Sequence, residues 1–270
     1  MAEKPETRGF REYYVMLKRT EGIVLKNSLF GEADLIVTYL TRDYGLLKVF
    51  AKSPRKIKSR FGSSLEPLTY SNISFMGKED ANLPRLTQSD IIKTFHTLRD
   101  DFKRLLNVSE MLELSLKFMP EREPHFAVFK LLLGTLTKLE PDSENALYFL
   151  YYKIKFLEIS GYAPRLDMCG RCGTTSYNGS CNGHNNFYVS HGSIICEKCI
   201  RDREGSIRLS DGTVRLYNSL IKWRLSNINR VKAPAYMLSE IGQVINSHVA
   251  YILGRSKQLR KENFAVGITP

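Results

Sequence analysis

No apolar run in this 270-residue sequence approaches the ~20 residues that a helix needs to cross a bilayer. The most apolar stretches, Leu131-Leu132-Leu133 and Leu147 to Tyr152, are soon broken by Lys or Glu, which excludes membrane insertion. The first twelve residues lack the apolar core of a secretory leader, so a cytoplasmic protein is expected. The motifs of common enzymes are missing too. There is no G-x-x-x-x-G-K-[ST], no G-x-G-x-x-G, no H-E-x-x-H and no G-x-S-x-G. No histidine stands two residues before a glutamate, as zinc deaminases require. Without a nucleotide-phosphate loop, helicase and ligase readings fail, and no carboxylate cluster suggests a nuclease.

Acidic side chains are also scarce. Asp and Glu number 28 against 40 Lys and Arg, a formal charge of +12, the footprint of a protein that meets a polyanion. The excess is uneven: residues 1–80 carry +4, residues 81–168 carry zero and residues 169–270 carry +8. Hydrophobic residues at 43% and charged residues at 25% are ordinary for a globular chain, and the length suits two domains.

The pattern predicts an α+β protein. Five short runs rich in β-branched, Leu and aromatic residues lie at 22–26, 34–41, 45–52, 68–76 and 85–92, enough for a small barrel. Asp43-Tyr44-Gly45 predicts a three-residue hairpin with Gly at the left-handed position. Partly open five-stranded barrels of this size include the OB-fold, which binds single-stranded nucleic acid, and a generic β-barrel fits the pattern equally. From His96 the apolar period becomes helical. Helices are expected before Pro120, over Phe126–Leu136, from Pro141 to a C-cap at Gly161, after an N-cap at Ser210, and from Pro234 to Gly254.

Between the last of the first three helices and Ser210 lie Cys169-Gly-Arg-Cys172 and Cys196-Glu-Lys-Cys199. Two residues between paired thiols let each pair grip one ion from a tight turn, and two such turns complete a four-thiolate zinc shell. A closed shell holds structure and leaves no position for catalysis. Few aliphatics lie between the pairs, so the metal, worth roughly 10–16 kcal/mol in small zinc modules, is expected to order the segment. Cys181, His184 and His191 lack paired spacing and read as bystanders. A redox CxxC pair or a degenerate site without metal are the alternatives.

The second signal is Lys48, Lys52, Arg55, Lys56, Lys58 and Arg60, six cations with no acid between positions 46 and 60. On a strand Lys48, Phe50 and Lys52 share one face. Phe50 would then stack on a base while the lysines hold phosphates, with the loop extending the track. A solvated strand face beside a basic loop is the bland alternative. Further cations, Arg201, Arg203 and Arg208 and then Arg255, Lys257, Arg260 and Lys261, suit helix ends or a second nucleic-acid surface.

The stretches Thr20 to Lys26, Gly31-Glu-Ala-Asp-Leu35, Leu40 to Gly45, Ser59-Arg-Phe-Gly62 and Gly161-Tyr-Ala-Pro-Arg-Leu166 resemble the bacterial RecO family of recombinational repair proteins. The resemblance spans about residues 16–260 and makes Met16 a candidate initiator. It implies an N-terminal OB-fold over 16–94 after an extension of residues 1–15. A helical domain over 95–168 and 206–256 would follow, interrupted by a zinc module at 169–205 and ended by a basic tail at 257–270. It implies no turnover, binding of single- and double-stranded DNA, strand annealing, and work with RecR to help RecA replace single-strand-binding protein in a nucleoid-associated setting. The zinc ligands would be Cys169, Cys172, Cys196 and Cys199, and the basic loop Arg55 to Arg60. An RNA-binding OB/zinc protein of translation or rRNA assembly, and a metal-dependent nuclease, are the competing functions.

Overall fold

A computed structural model describes residues 16–54, 60–78, 81–140, 146–175, 184–200 and 205–265, with 184 and 255–265 as backbone alone. The chain divides into two compact units, Met1–Asp101 with Leu112–Lys130, and Phe102–Met111 with Leu131–Pro270.

Five strands of the first unit, β1 (Met16–Phe30), β2 (Asp34–Thr41), β3 (Gly45–Ala51), β4 (Thr69–Gly77) and β5 (Arg85–Thr94), form a closed barrel in the order β1-β2-β3-β5-β4. All neighbours are antiparallel except β3 and β5. This five-stranded arrangement accords with the OB-fold. Strand β1 runs well past the expected 22–26. A register shift between Val24 and Lys26 bends it so that its first half pairs with β4 and its second with β2. Lys18, Arg19 and Glu21 on one flank and Lys26, Asn27 and Ser28 on the other interrupt the apolar run, which hides the flanks from a search for such runs. Alternation places Val24, Val37, Tyr39, Leu47, Val49, Ile73, Phe75 and Leu86 inside.

The β2–β3 hairpin forms as expected, with Gly45 at φ +61°. The Thr41 hydroxyl accepts from the Tyr44 N–H at 3.0 Å and donates to the Gly45 carbonyl at 2.9 Å. A Cβ on Gly45 would sit 1.9 Å from the Glu123 carbonyl oxygen, so glycine is required twice, for backbone and for space. The segment carrying Glu123 lies along β3: Glu121 bridges Leu46, and the Arg122 N–H donates to the Leu46 carbonyl at 2.9 Å.

Helices α1 (Phe102–Phe118), α2 (Phe126–Leu139), α3 (Ala146–Ile159), α4 (Asp211–Lys222) and α5 (Ala235–Ala265) supply the helical part. Helix α3 is buried on nearly every side, as the centre of its unit. It ends at Gly161, φ +77°, with the Tyr162 N–H on the Leu157 carbonyl at 2.7 Å. Ser210 caps α4, its hydroxyl accepting from the Thr213 N–H at 3.2 Å. Helix α5 overruns the expected stop at Gly254 and reaches Ala265, through the basic stretch taken for a tail. Lys, Arg, Gln and Glu are good helix formers, and they outweigh one glycine that costs about 1 kcal/mol.

A second sheet, order β6-β8-β7-β9, joins β6 (Arg165–Cys169), β7 (His184–Tyr188), β8 (Ser193–Ile194) and β9 (Ile207–Ser210). It corrects the expectation that the cysteine segment lacks a core. Leu166, Phe187, Ile194 and Leu209 are buried, and the Phe187 ring meets His248 of α5 edge-on at 6.1 Å. The density of Gly, Asn and Ser concealed this, because the apolar side chains come singly from four short strands. His248 is itself buried, its Nε2 2.9 Å from the Tyr162 carbonyl and its Nδ1 without a partner. Burial pushes its pKa below the usual 6.5, only partly opposed by that carbonyl. The folded state therefore refuses a proton that the unfolded chain accepts, so this stabilisation is complete above pH 6.5 and is lost as pH falls below it. The midpoint of thermal unfolding should drop between pH 8 and pH 5.5, and drop less in His248→Gln.

Candidate metal centre and nucleic-acid interface

Cys169 closes β6, and the chain turns at once: the Gly173 N–H donates to the Cys169 carbonyl at 3.0 Å and the Cys169 N–H to the Thr174 carbonyl at 2.8 Å. Gly170 is pressed against β8, where an added Cβ would lie 2.1 Å from the Ser193 hydroxyl. The second pair sits on a single 3₁₀ turn, Glu197–Cys199, closed by the Cys199 N–H on the Cys196 carbonyl at 2.9 Å. Sheet and turns thus bring all four expected ligands together, every Sγ within 4.8 Å of the others. A tetrahedral ion with thiolates at about 2.3 Å would set the sulfurs about 3.8 Å apart. The Cys172 and Cys196 sulfurs, one from each turn, are 3.7 Å apart.

The surroundings suit thiolates. The Cys196 N–H donates to the Cys169 sulfur at 3.4 Å. The side chain and N–H of Thr174 lower the Cys172 pKa to about 6. Cys199 is pushed up to about 12 by the neighbouring sulfurs, because each further negative charge is resisted by those already present. A divalent cation at the centre removes that resistance, so the donor set fits a thiophilic ion such as zinc. His191 stands apart from the cluster. Its Nε2 accepts from Arg171 at 3.1 Å and its Nδ1 contacts the Ser190 hydroxyl at 3.0 Å, while Arg171 also donates to the Cys199 carbonyl at 2.8 Å. The histidine therefore steadies an arginine that ties one turn to the other. His184 lies on β7, paired with Ser210 of β9, and Cys181 falls outside the described residues.

On the barrel, β3 alternates as expected: Lys48, Phe50 and Lys52 face outward while Leu47, Val49 and Ala51 are buried. The three outward residues differ in availability. Lys48 is ion-paired with Glu121. Phe50 is half-buried and meets Phe30 edge-on, ring centres 5.8 Å apart. Lys52 is exposed, and so is Arg60, whose guanidinium stacks over Phe61 at 4.9 Å. Arg55, Lys56 and Lys58 lie outside the described residues.

Two residues belong with this face that sequence reasoning missed. Phe30 ends β1 with 51% of its surface exposed, which leaves it more of its ring to offer a base than Phe50 has. A large aromatic immediately before the Gly31 turn was the available signal. Arg85, exposed at the start of β5, is the register partner of Phe50 across the parallel joint. Only the barrel's closure brings together residues 35 positions apart, so no local pattern could have found it. A groove of about 460 Å³ also crosses β1, β4 and β5, but its Arg42 is paired with Glu21 and Asp43, and Gln88 donates to Asp90. Glu21, Asp43 and Asp90 outnumber Arg19 and Arg42 along its lining, so it offers little to a polyanion.

Among the described residues no helix is long and apolar enough to cross a membrane. Two family models match the chain, Recombination protein O N terminal over residues 16–95 and Recombination protein O C terminal over residues 99–261. It is 45% identical over 243 residues to the DNA repair protein RecO of Thermodesulfovibrio yellowstonii, covering 88% of this chain and 94% of the other. It is also 33% identical to the same-named protein of Dehalococcoides mccartyi over 87% of this chain and 90% of that one, and 29% identical to that of Bacillus pumilus over 86% and 88%. A barrel followed by helices and a four-cysteine cluster, matched over most of the chain by the two family models, places this chain in the RecO family of DNA repair proteins.

Proposed function

We propose that this protein is a non-catalytic mediator of recombinational repair. It binds single- and double-stranded DNA, anneals complementary strands, and with RecR helps RecA replace single-strand-binding protein. The observation that carries this reading is the outward barrel face, where Phe30 and Phe50 sit with Lys52 and Arg85. Aromatic rings accept bases of any identity and cations hold phosphates, so the face suits a strand of any sequence. Neutralising phosphates on two strands at once removes their mutual repulsion, so pairing needs no hydrolysis.

The four cysteines would hold structural zinc, fixing the sheet that joins the knuckles to α4 and α5. Their role is then architectural, and the chemistry of repair is left to partner proteins.

The test is annealing of complementary DNA strands coated with single-strand-binding protein, without nucleotide and with catalytic amounts of RecR. Faster pairing than in the uncatalysed control, lost on reversing Lys52 and Arg85 to Glu, is the expected result. Equal rates with and without the protein would overturn the reading.

A further inference from the structure

We infer that the junction between α4 and α5 is a second single-strand-binding surface, centred on Trp223, so that one chain carries two separate strand sites. The inference rests on the reading above, in which the barrel takes the first strand. Between Asp211 and Glu240 no acid occurs, while Arg215, Lys222, Arg224, Arg230 and Lys232 do. The two bounding acids are engaged elsewhere, Asp211 accepting from Asn185 at 2.7 Å and Glu240 from the Ser210 N–H at 3.0 Å. Lys222, Arg224, Arg230 and Lys232 are all exposed.

Cations at a helix end ordinarily serve its free carbonyls. Here that work is done by α3. Lys155 Nζ donates to the Ile221 carbonyl at 2.7 Å and the Tyr151 hydroxyl to the Trp223 carbonyl at 2.9 Å. Lys222 and Arg224 are thereby left to face solvent. The same bond holds Trp223 by its backbone while 36% of the residue stays exposed. A tethered, partly open indole costs little entropy to stack on a base, the property sought in a single-strand platform.

The surface also has extent. From Leu225 to Arg230 the chain forms a 3₁₀ helix of two turns, about 12 Å long at ~2 Å per residue, with Arg224 before it and Arg230 at its end. Leu225 lies against Gly134 of α2, and exposed Lys138 follows one helical turn later on the same face. The cations therefore form a track rather than a point, as a strand requires and a single phosphate group does not.

Trp223 is the only tryptophan in the chain, so its fluorescence reports this surface alone. Titration of the intact protein with an oligothymidylate should quench the indole at low salt, and quenching should persist in Lys52→Glu/Arg85→Glu, which disables the barrel face. Lys222→Glu/Arg224→Glu/Arg230→Glu/Lys232→Glu should keep barrel binding and lower the annealing rate at least tenfold. Trp223→Phe should retain most of it, which separates loss of stacking from misfolding. Unchanged fluorescence with annealing intact would overturn this inference and leave the proposed function standing. Quenching without annealing by the wild type would overturn the function and leave the site. Quenching by duplex or by anionic vesicles, but not by single strands, would overturn the assignment of the partner.

Discussion

Removing the metal should unfold the β6–β9 sheet and lower the stability of the helical unit around it, the largest effect expected of any perturbation here. The four sulfurs converge within 4.8 Å, and without a cation their charges oppose one another. Zinc contributes roughly 10–16 kcal/mol in small modules, against about 5–15 kcal/mol for the whole stability of a typical domain. The loss cannot stay local. Strand β7 pairs with β9, β9 leads directly into α4, and Phe187 packs on His248 of α5. Hydrogen exchange should therefore speed up over 184–210 and along α4 when the metal is stripped with a strong chelator under reducing conditions. Elemental analysis should return one zinc per chain, falling to zero in Cys169→Ser/Cys172→Ser. Exchange that is identical before and after chelation would remove the metal from any structural role.

Reversal of the barrel's outward charges should weaken single-strand binding at the barrel by orders of magnitude. Among the described residues the exposed set is Lys52, Arg60 and Arg85, with Lys48 drawn off by Glu121; Arg55, Lys56 and Lys58 complete the six cations as expected from sequence. Six phosphate contacts give a slope of about −4 for log affinity against log salt, and each one lost lowers its magnitude by about 0.7. Lys52→Glu/Arg85→Glu should bring the slope to about −3 or shallower. Phe30→Ala should weaken binding some five- to hundred-fold, the equivalent of about 1–3 kcal/mol of stacking, with the slope unchanged. Glu121→Ala provides a gain-of-function arm. The Lys48–Glu121 pair is half exposed and worth on the order of 0–1 kcal/mol, so releasing Lys48 should tighten binding and steepen the slope by about 0.7. Filter binding or anisotropy across a salt series measures all three, and a slope indifferent to these changes would place the strand elsewhere on the molecule.

Much of this architecture was readable in the residues because its signals are local. Strand β2 is bounded as the apolar alternation implies, the Gly45 hairpin follows from three residues, and the Ser210 cap follows from one hydroxyl. The four-cysteine cluster was legible for the same reason, since two short spacings determine which thiols can share an ion. What escaped was set by tertiary structure. The pairing of β3 with β5 decides that Arg85 flanks Phe50, and the segment after α1 decides that Lys48 meets Glu121. The hydrophobic support of the cysteine sheet comes from α5 as well as from its own strands. Trp223 owes its character to Tyr151 and Lys155, side chains some seventy positions earlier that relieve its neighbours of capping.

The joint between β3 and β5 is held at a single register pair, Phe50 with Arg85, and by the Phe50 N–H on the Pro84 carbonyl at 2.8 Å, whereas every other joint of the barrel runs for seven or eight pairs. The cylinder thus has a seam, and the seam runs through the middle of the proposed strand-binding face. A polyanion reaching from Lys52 on one lip to Arg85 on the other would act as a clasp across it. Opening of the seam and departure of the strand would then be one thermodynamic event, so the occupied barrel would be the more rigid and the empty one the freer to breathe where a new strand must enter.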